Sequence, residues 1–270
     1  MSHTIEITLT GQTTGTVIST GQGQSVAGQQ ATSSDQVAGI LACLESGAGQ
    51  LDMSIRALLK QTEAITLSVP DFVNETLTAE NGSRIGLIVT KGYETTAYGQ
   101  GTEPNPLVGS IVSEALVVGL NEATNEQGEQ VQAPDIAEIK ETLQHLLELG
   151  SGILVVSFKN AVLNPANERL LQTIMRADYP RHYLGAVPLL LASDFSQEQD
   201  DLVRTNTCLL NAYTWFSLDQ TLRRIDTTLR QQGYNRSLLV AQNDGPAVPI
   251  PKVTPLKTGR IEQLDVLRIP

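Results

Sequence analysis

At 270 residues, 40% of them apolar and 17% charged, the chain is long enough to bury one large core or two modest ones. Its formal net charge of -11, from 29 acidic against 18 basic side chains, argues against nucleic acid and anionic membranes as partners, since both demand a basic face. The 2 cysteines, Cys43 and Cys208, stand alone in apolar settings, which excludes a zinc site or a disulfide framework and leaves buried free thiols as the expectation. No run approaches the roughly 18 apolar residues of a membrane span, and no basic leader precedes an apolar segment, so a cytoplasmic protein is expected.

In chain order, residues 5–9 alternate as a strand, 11–15 form a turn, 16–19 return, and a third short strand follows within 21–29. The turn has two readings. Glycine and threonine between strands can present backbone N–H groups to a phosphate, with Thr8, Thr10, Gln12, Thr13 and Thr14 adding hydroxyls and an amide. The same residues also make an ordinary hairpin, and no carboxylate lies in the loop to hold magnesium beside a nucleotide. Ser34 and Asp35 are suited to cap a helix that breaks near Ser46-Gly47-Ala48-Gly49, with a second helix over 53–60. A strand over 64–68, a helix opened by Pro70 and a buried strand over 84–90 complete the first part. Residues 93–108 are rich in Gly, Thr and Pro and mark the expected internal boundary.

Residues 111–120 then read as one strand, and Pro134-Asp135 opens a helix that Gly150 ends. His145 on that helix has no second His or Cys at ligand spacing and is expected as a surface or packing residue. Residues 152–158 are a short continuous apolar run rich in β-branched side chains. Such a run fits a strand buried on both faces, with helices on either side of the sheet. Asn164 and Pro165 suit a helix start, and Leu170, Leu171, Ile174 and Met175 make its apolar stripe, giving half of a βαβ crossover. Pro188 places the extended stretch 183–191 at a sheet edge. Residues 196–233 form a long helix, within which the polar run Arg204-Thr205-Asn206-Thr207 and Asn211 must find hydrogen bonds if buried. A last strand over 237–241, a turn over 242–246 and an extended tail over 247–270 close the chain.

Four stretches together resemble the N-terminal region of the hydantoinase A / 5-oxoprolinase family. They are Thr90-Lys91-Gly92-Tyr93; Ser157 with Asn164-Pro165-Ala166-Asn167-Glu168-Arg169; Arg204-Thr205-Asn206-Thr207 with Asn211-Ala212-Tyr213; and Gln242-Asn243-Asp244-Gly245. The resemblance implies an α/β chain with a degenerate ribonuclease-H-like lobe of the sugar kinase and actin-like ATPase class over 1–95. It also implies an α/β subdomain over 96–246, mixed sheets flanked by helices, and the tail 247–270. Family members of this kind clasp ATP between two lobes and activate a lactam or ketone carbonyl by phosphoryl transfer.

The departures from the family pattern shape the functional expectation. Its first phosphate loop reads Asp-x-Gly-Gly-Thr-x-Thr-Asp; here the acidic positions fall on Thr8 and Gly15, the first glycine on Thr10 and the first Thr on Gln12, so that only Gly11 and Thr14 remain. The His-Gly-Thr-Thr stretch is replaced by Ser68-Val69-Pro70-Asp71, and the His of the Asn-Pro-x-His-Glu motif is Asn167. The second lobe, with its phosphate loop and adenosine glycines, is also expected to be missing. Phosphoryl transfer needs positioned metal ions and charge clamps. The expectation is therefore a noncatalytic accessory subunit with no cofactor of its own, ATP and magnesium being held by carboxylase core subunits of the hydantoinase A/B type. Two alternatives stand beside it: residues supplied in trans to a shared site, with Lys91, Arg204, Thr205, Asn211 and Asp244 at the crevice or interface, or a standalone small-molecule binding protein.

Overall fold

The computed structural model describes residues 2–32, 35–99, 103–179 and 187–259. The chain divides into two compact units, the first combining Met1–Asn81 with Trp215–Glu262 and the second built on Gly82–Thr214. This differs from boundaries at 95/96 and 246/247. The reason is packing: Leu218, Leu222, Ile225, Leu229, Leu238 and Val240 all belong to the core formed by Ile5, Ile7, Leu58, Ile65 and Leu67.

Unit 1 holds a six-stranded mixed sheet. Strand β1 (His3–Leu9) buries alternate residues, as its pattern of Ile5, Ile7 and Leu9 requires. It pairs antiparallel with β2 (Thr13–Thr20), which pairs antiparallel with β3 (Ser25–Ala31). On its other side β1 runs parallel to β4 (Thr62–Ser68), followed by β11 (Leu238–Val240) and the antiparallel edge strand β12 (Val248–Pro249). Helix α1 (Gln36–Gln50) is capped by Asp35, whose Oδ1 accepts from the Val37 and Ala38 amides. The helix does not break at Ser46–Gly49: Gly47 and Ala48 are buried within it, Gly47 where an added Cβ would come 2.4 Å from the terminal methyl of Ile18 of β2. Helix α2 (Ile55–Gln61) starts at Ser54, whose Oγ accepts from the Ala57 amide, and α3 (Phe72–Thr78) follows β4.

Unit 2 holds a four-stranded, wholly parallel sheet in the order β10 (Leu189–Leu191), β9 (Ile153–Ser157), β5 (Ile85–Thr90), β6 (Val117–Leu120). All residues of β5 and β9 are buried, as expected for interior strands covered on both faces. The apolar stretch 111–120 is not one strand. Leu107 and Val112 are buried around a turn closed by Ile111 and Val112 amides donating to Leu107 O, a 3-10 turn spans Glu114–Leu116, and only then does β6 begin. A small hairpin of β7 (Ala123–Thr124) and β8 (Gln130–Gln132) precedes α4 (Ile136–Glu148), which Asp135 caps. Gly150, at φ 82°, turns the chain out of α4 toward β9.

Helix α5 (Ala166–Asp178) follows β9 and completes the expected half-crossover, with Asn164 Oδ1 accepting from the Ala166 amide just before it. Pro188 does stand at a sheet edge, since β10 is the outermost strand. After the short α6 (Ala192–Phe195), α7 (Asp201–Gln231) begins later than residue 196, at the Asp200 side chain, which accepts from the Leu202 and Val203 amides. The tail is partly ordered into structure: β12 and two 3-10 turns, Ile250–Lys252 and Pro255–Lys257, bring Val253 into the unit 1 core. The rest of the expected tail, from 260, and residues 180–186 lie outside the described residues.

Candidate functional site

In a parallel sheet the C-terminal strand ends are where loops converge and ligands bind. In unit 2 those ends carry a buried polar network. Thr90, the last residue of β5, donates through Oγ1 to Glu122 Oε1 at 2.5 Å and accepts from the Lys159 amide at 2.9 Å. Glu122 Oε2 accepts from Asn167 Nδ2 at 2.7 Å, and Asn167 also donates to Gln132 O. Tyr98 OH reaches Ser157 O at 2.8 Å and accepts from the Thr90 amide at 3.1 Å. Burial drives the Tyr98 hydroxyl far above its usual range and raises Glu122 as well, although hydrogen bonds from Thr90 and Asn167 oppose the Glu122 shift.

A second cluster joins the end of β9 to α5, α6 and α7. Glu168, fully buried, accepts from the Phe158 amide at 3.1 Å, the Ser193 amide at 3.2 Å and Ser193 Oγ at 2.5 Å. Burial pushes its carboxyl up to about 7, with the three donors and the Arg204 charge pulling the other way. Arg204 is itself fully buried; its Nη1 donates to Glu198 O, and its Nη2 donates to Phe158 O and pairs with Asp201. Asp201 Oδ1 also accepts from the Asn160 amide at 3.0 Å, where Asn160 holds a φ of 57°. Thr205 Oγ1 donates to Asp201 O, and Ser157 Oγ lies 2.7 Å from that hydroxyl. At the rim, Lys159 Nζ donates to Tyr93 OH at 2.9 Å, which raises the Lys159 ammonium, and Tyr93 stacks obliquely against Tyr98.

Three of the four family-like stretches, those around Thr90, Ser157–Arg169 and Arg204–Thr207, thus meet at the C-terminal ends of the unit 2 strands. Of the candidate crevice residues, Arg204 and Thr205 belong to this network. Asn211 is buried and donates to Thr207 O on its own helix, whereas Lys91 is exposed. Asp244 lies apart, exposed in a unit 1 turn. Sequence reasoning passed over Tyr98, Glu122 and Asp201. The one local signal, for Glu122 and Asp201, is an acidic residue just past an apolar strand or just inside a helix; Tyr98, in an aperiodic turn beyond β5, has none. His145 is exposed in the last turn of α4, and Cys43 and Cys208 are buried free thiols raised by burial. Among the described residues no group of three or more His, Cys, Asp or Glu is placed to hold a metal, and no helix is long and apolar enough to cross a membrane.

The β1–β2 turn of unit 1 closes on itself. Thr10 Oγ1 accepts from the Thr13 amide at 2.9 Å and the Gln12 amide at 3.4 Å, while the Thr10 amide donates to Thr13 O. Thr14 is buried with its hydroxyl 3.2 Å from that of Thr32; Thr8 and Gly15 face each other across the ladder. Against Gly11 lies the Glu75 carboxylate of α3: a Cβ on Gly11 would sit 2.5 Å from Glu75 Oε1. That oxygen is buried without a hydrogen-bond partner among the described residues, and burial, with Asp71 nearby, raises the Glu75 carboxyl.

Residues 5–179 match the family described as the hydantoinase/oxoprolinase N-terminal region. The chain belongs to this family. Among hydantoinase/oxoprolinase relatives it is 26% identical to the acetophenone carboxylase gamma subunit of Aromatoleum aromaticum, over 95% of this chain and 37% of that one. It is 23% identical to the acetone carboxylase beta subunit of Xanthobacter autotrophicus, over 76% and 30%. Of solved structures, nucleotide-free acetone carboxylase superposes with a TM-score of 0.77 at 22% identity, covering 94% of this chain and 38% of its own. The ATP-dependent caprolactamase of Pseudomonas jessenii gives 0.78 at 18%, covering 92% and 36%. These likenesses establish the mixed α/β fold, and the chain spans about a third of the length of the carboxylase relatives it matches.

Proposed function

We propose that this chain is a noncatalytic accessory subunit of a multi-subunit ATP-dependent ketone carboxylase, working by contact with core subunits of the hydantoinase A/B type. Two similar proteins are named as carboxylase subunits, which supports membership of such a complex. The observation that carries the noncatalytic part is the Glu75 carboxylate pressed against Gly11, in a turn whose Thr10, Gln12 and Thr13 amides are already engaged. A phosphate approaching this turn meets the Glu75 carboxyl beside Gly11 and finds three of the turn's amides already engaged, an arrangement that disfavours it. The strand-end network of unit 2 fits the same reading, because Thr90, Glu122, Asn167, Ser157 and Thr205 direct their polar atoms to one another or to nearby backbone.

The test is magnesium-ATP calorimetry on the purified chain, then the same titration with a carboxylase core of the hydantoinase A/B type. No heat from the chain alone, with a changed carboxylation rate when it joins the core, is the expected result. Tight ATP binding by the chain alone sinks the noncatalytic reading. A second reading rests on Lys91, exposed where β5 ends: the chain lends that ammonium to a partner's site. Under it, Lys91→Ala lowers kcat of the assembled complex without weakening assembly; unchanged turnover excludes it.

A further inference from the structure

Unit 1 contains a cavity of about 340 Å³, and its lining separates into a polar and an apolar half. One wall is α7, which presents Arg223, Thr227 and Arg230 at the spacing of one helical face, with Asp226 beside them, its Oδ1 buried without a hydrogen-bond partner among the described residues; Ser237, just before β11, joins them. The floor is Ile250 with its flanking Pro249 and Pro251, beneath which lies Leu238, buried in the unit 1 core. Prolines bring no N–H, so that floor offers apolar surface and few donors.

The two guanidinium groups, 64% and 47% exposed, each pair through the inner nitrogen with an aspartate one turn earlier on α7. Arg223 Nε donates to Asp219 Oδ2 at 2.6 Å, and both of its outer nitrogens are without an acceptor among the described residues. Arg230 Nε donates to Asp226 Oδ2 at 2.7 Å and its Nη2 to Arg236 O at 3.1 Å, which leaves Nη1. An arginine paired at Nε loses less freedom when its outer edge takes a ligand. The outer edge of a guanidinium matches a carboxylate in bidentate fashion.

We propose that this cavity binds a small amphipathic carboxylate: an organic acid whose head sits on Arg223 and Arg230, away from Asp226, and whose short apolar body lies over Pro249, Ile250 and Pro251. The volume is at the lower end of the roughly 300–1,000 Å³ typical of small-molecule sites, which limits the body to about one ring or a short chain. Asp219 and Asp226 offset the two guanidinium charges, so the site suits a single negative head better than a polyphosphate. Inorganic phosphate leaves the apolar floor unused, and a cation meets two guanidinium groups. The inference stands apart from the proposed function, because it concerns unit 1 residues that the carboxylase reading does not use.

The experiment is calorimetric titration of the whole chain with benzoate, and with benzamide, acetate and inorganic phosphate as comparators. Benzoate is expected to bind with a Kd on the order of 1 mM, and each comparator at least about tenfold more weakly. Arg223→Gln, an exposed change, is expected to cut benzoate affinity about tenfold or more, and Ile250→Trp, which fills the floor, to abolish it, both in variants that keep the wild-type melting transition. Ser237→Ala serves as a milder third variant, with a fewfold loss, if Ile250→Trp does not fold. Any of three results overturns the proposal: no benzoate binding up to about 30 mM, equal binding of benzoate and benzamide, or unchanged affinity in Arg223→Gln.

Discussion

Glu168 is a carboxyl that the fold would rather keep protonated. Its unfolded value is near 4.5 and its folded value is about 7, so the unfolded chain gives up the proton first as pH rises. Below 4.5 both states are protonated and the group contributes no penalty. Between 4.5 and 7 rising pH favours unfolding, and above 7 the full cost is present, on the order of 3 kcal/mol. Urea unfolding of the wild type is therefore expected to show lower stability at pH 8 than at pH 5. In Glu168→Gln that difference shrinks, since the amide does not titrate. The amide also sets an NH2 against the Phe158 or Ser193 donors, so the variant is weaker at both pH values. An undiminished pH difference in the variant would place the titration elsewhere, Glu122 being the next group raised by burial.

Among the elements, α1 separates two uses of glycine that composition cannot tell apart. Gly47 faces β2, where an added Cβ meets Ile18 Cδ1 at 2.4 Å, while Gly49 has nothing within 4 Å. Gly49→Ala is expected to stabilise by up to about 1 kcal/mol through helix propensity. Gly47→Ala gains the same propensity but overpacks a buried contact, for a net loss of about 1–2 kcal/mol. Thermal melts of the two variants check the opposite signs. Read from sequence, those glycines suggested a break in α1, because the close packing that demands one of them lies on another element. Strands β1, β5 and β9 were legible because their burial follows directly from alternation or from a continuous apolar run. Strand β6 was not, since Leu107, Val112 and Leu116 are buried by turns that have no period. The site was half legible for a related reason. The Asn164–Arg169 stretch stands out by itself, but Glu168 acquires its role only from Ser193 and Arg204, and Glu122 only from Thr90 and Asn167. Pairings that distant leave no local signature.

At the scale of the whole molecule, the two compact units predict two separable responses to damage. Leu67 is fully buried in β4 at the centre of the unit 1 sheet, and Leu67→Ala should cost about 2–5 kcal/mol. Hydrogen exchange is expected to speed up in β1, β4 and β11 while β5 and β9 keep their protection. Uniform loss across both sheets would show instead that the long α7 makes the two units one cooperative body. The parallel pairing of β4 with β11, Ile65 against Leu238, also sets a timetable for synthesis. Residues 82–214 leave the ribosome between those two strands, so the unit that starts second has its strands and helices available first. At about 5–20 residues per second, β4 waits on the order of ten seconds with one edge open. Its alternating apolar sequence is then a template for any passing strand. Productive folding of this chain thus depends on how well a nascent edge is shielded until its last partner arrives.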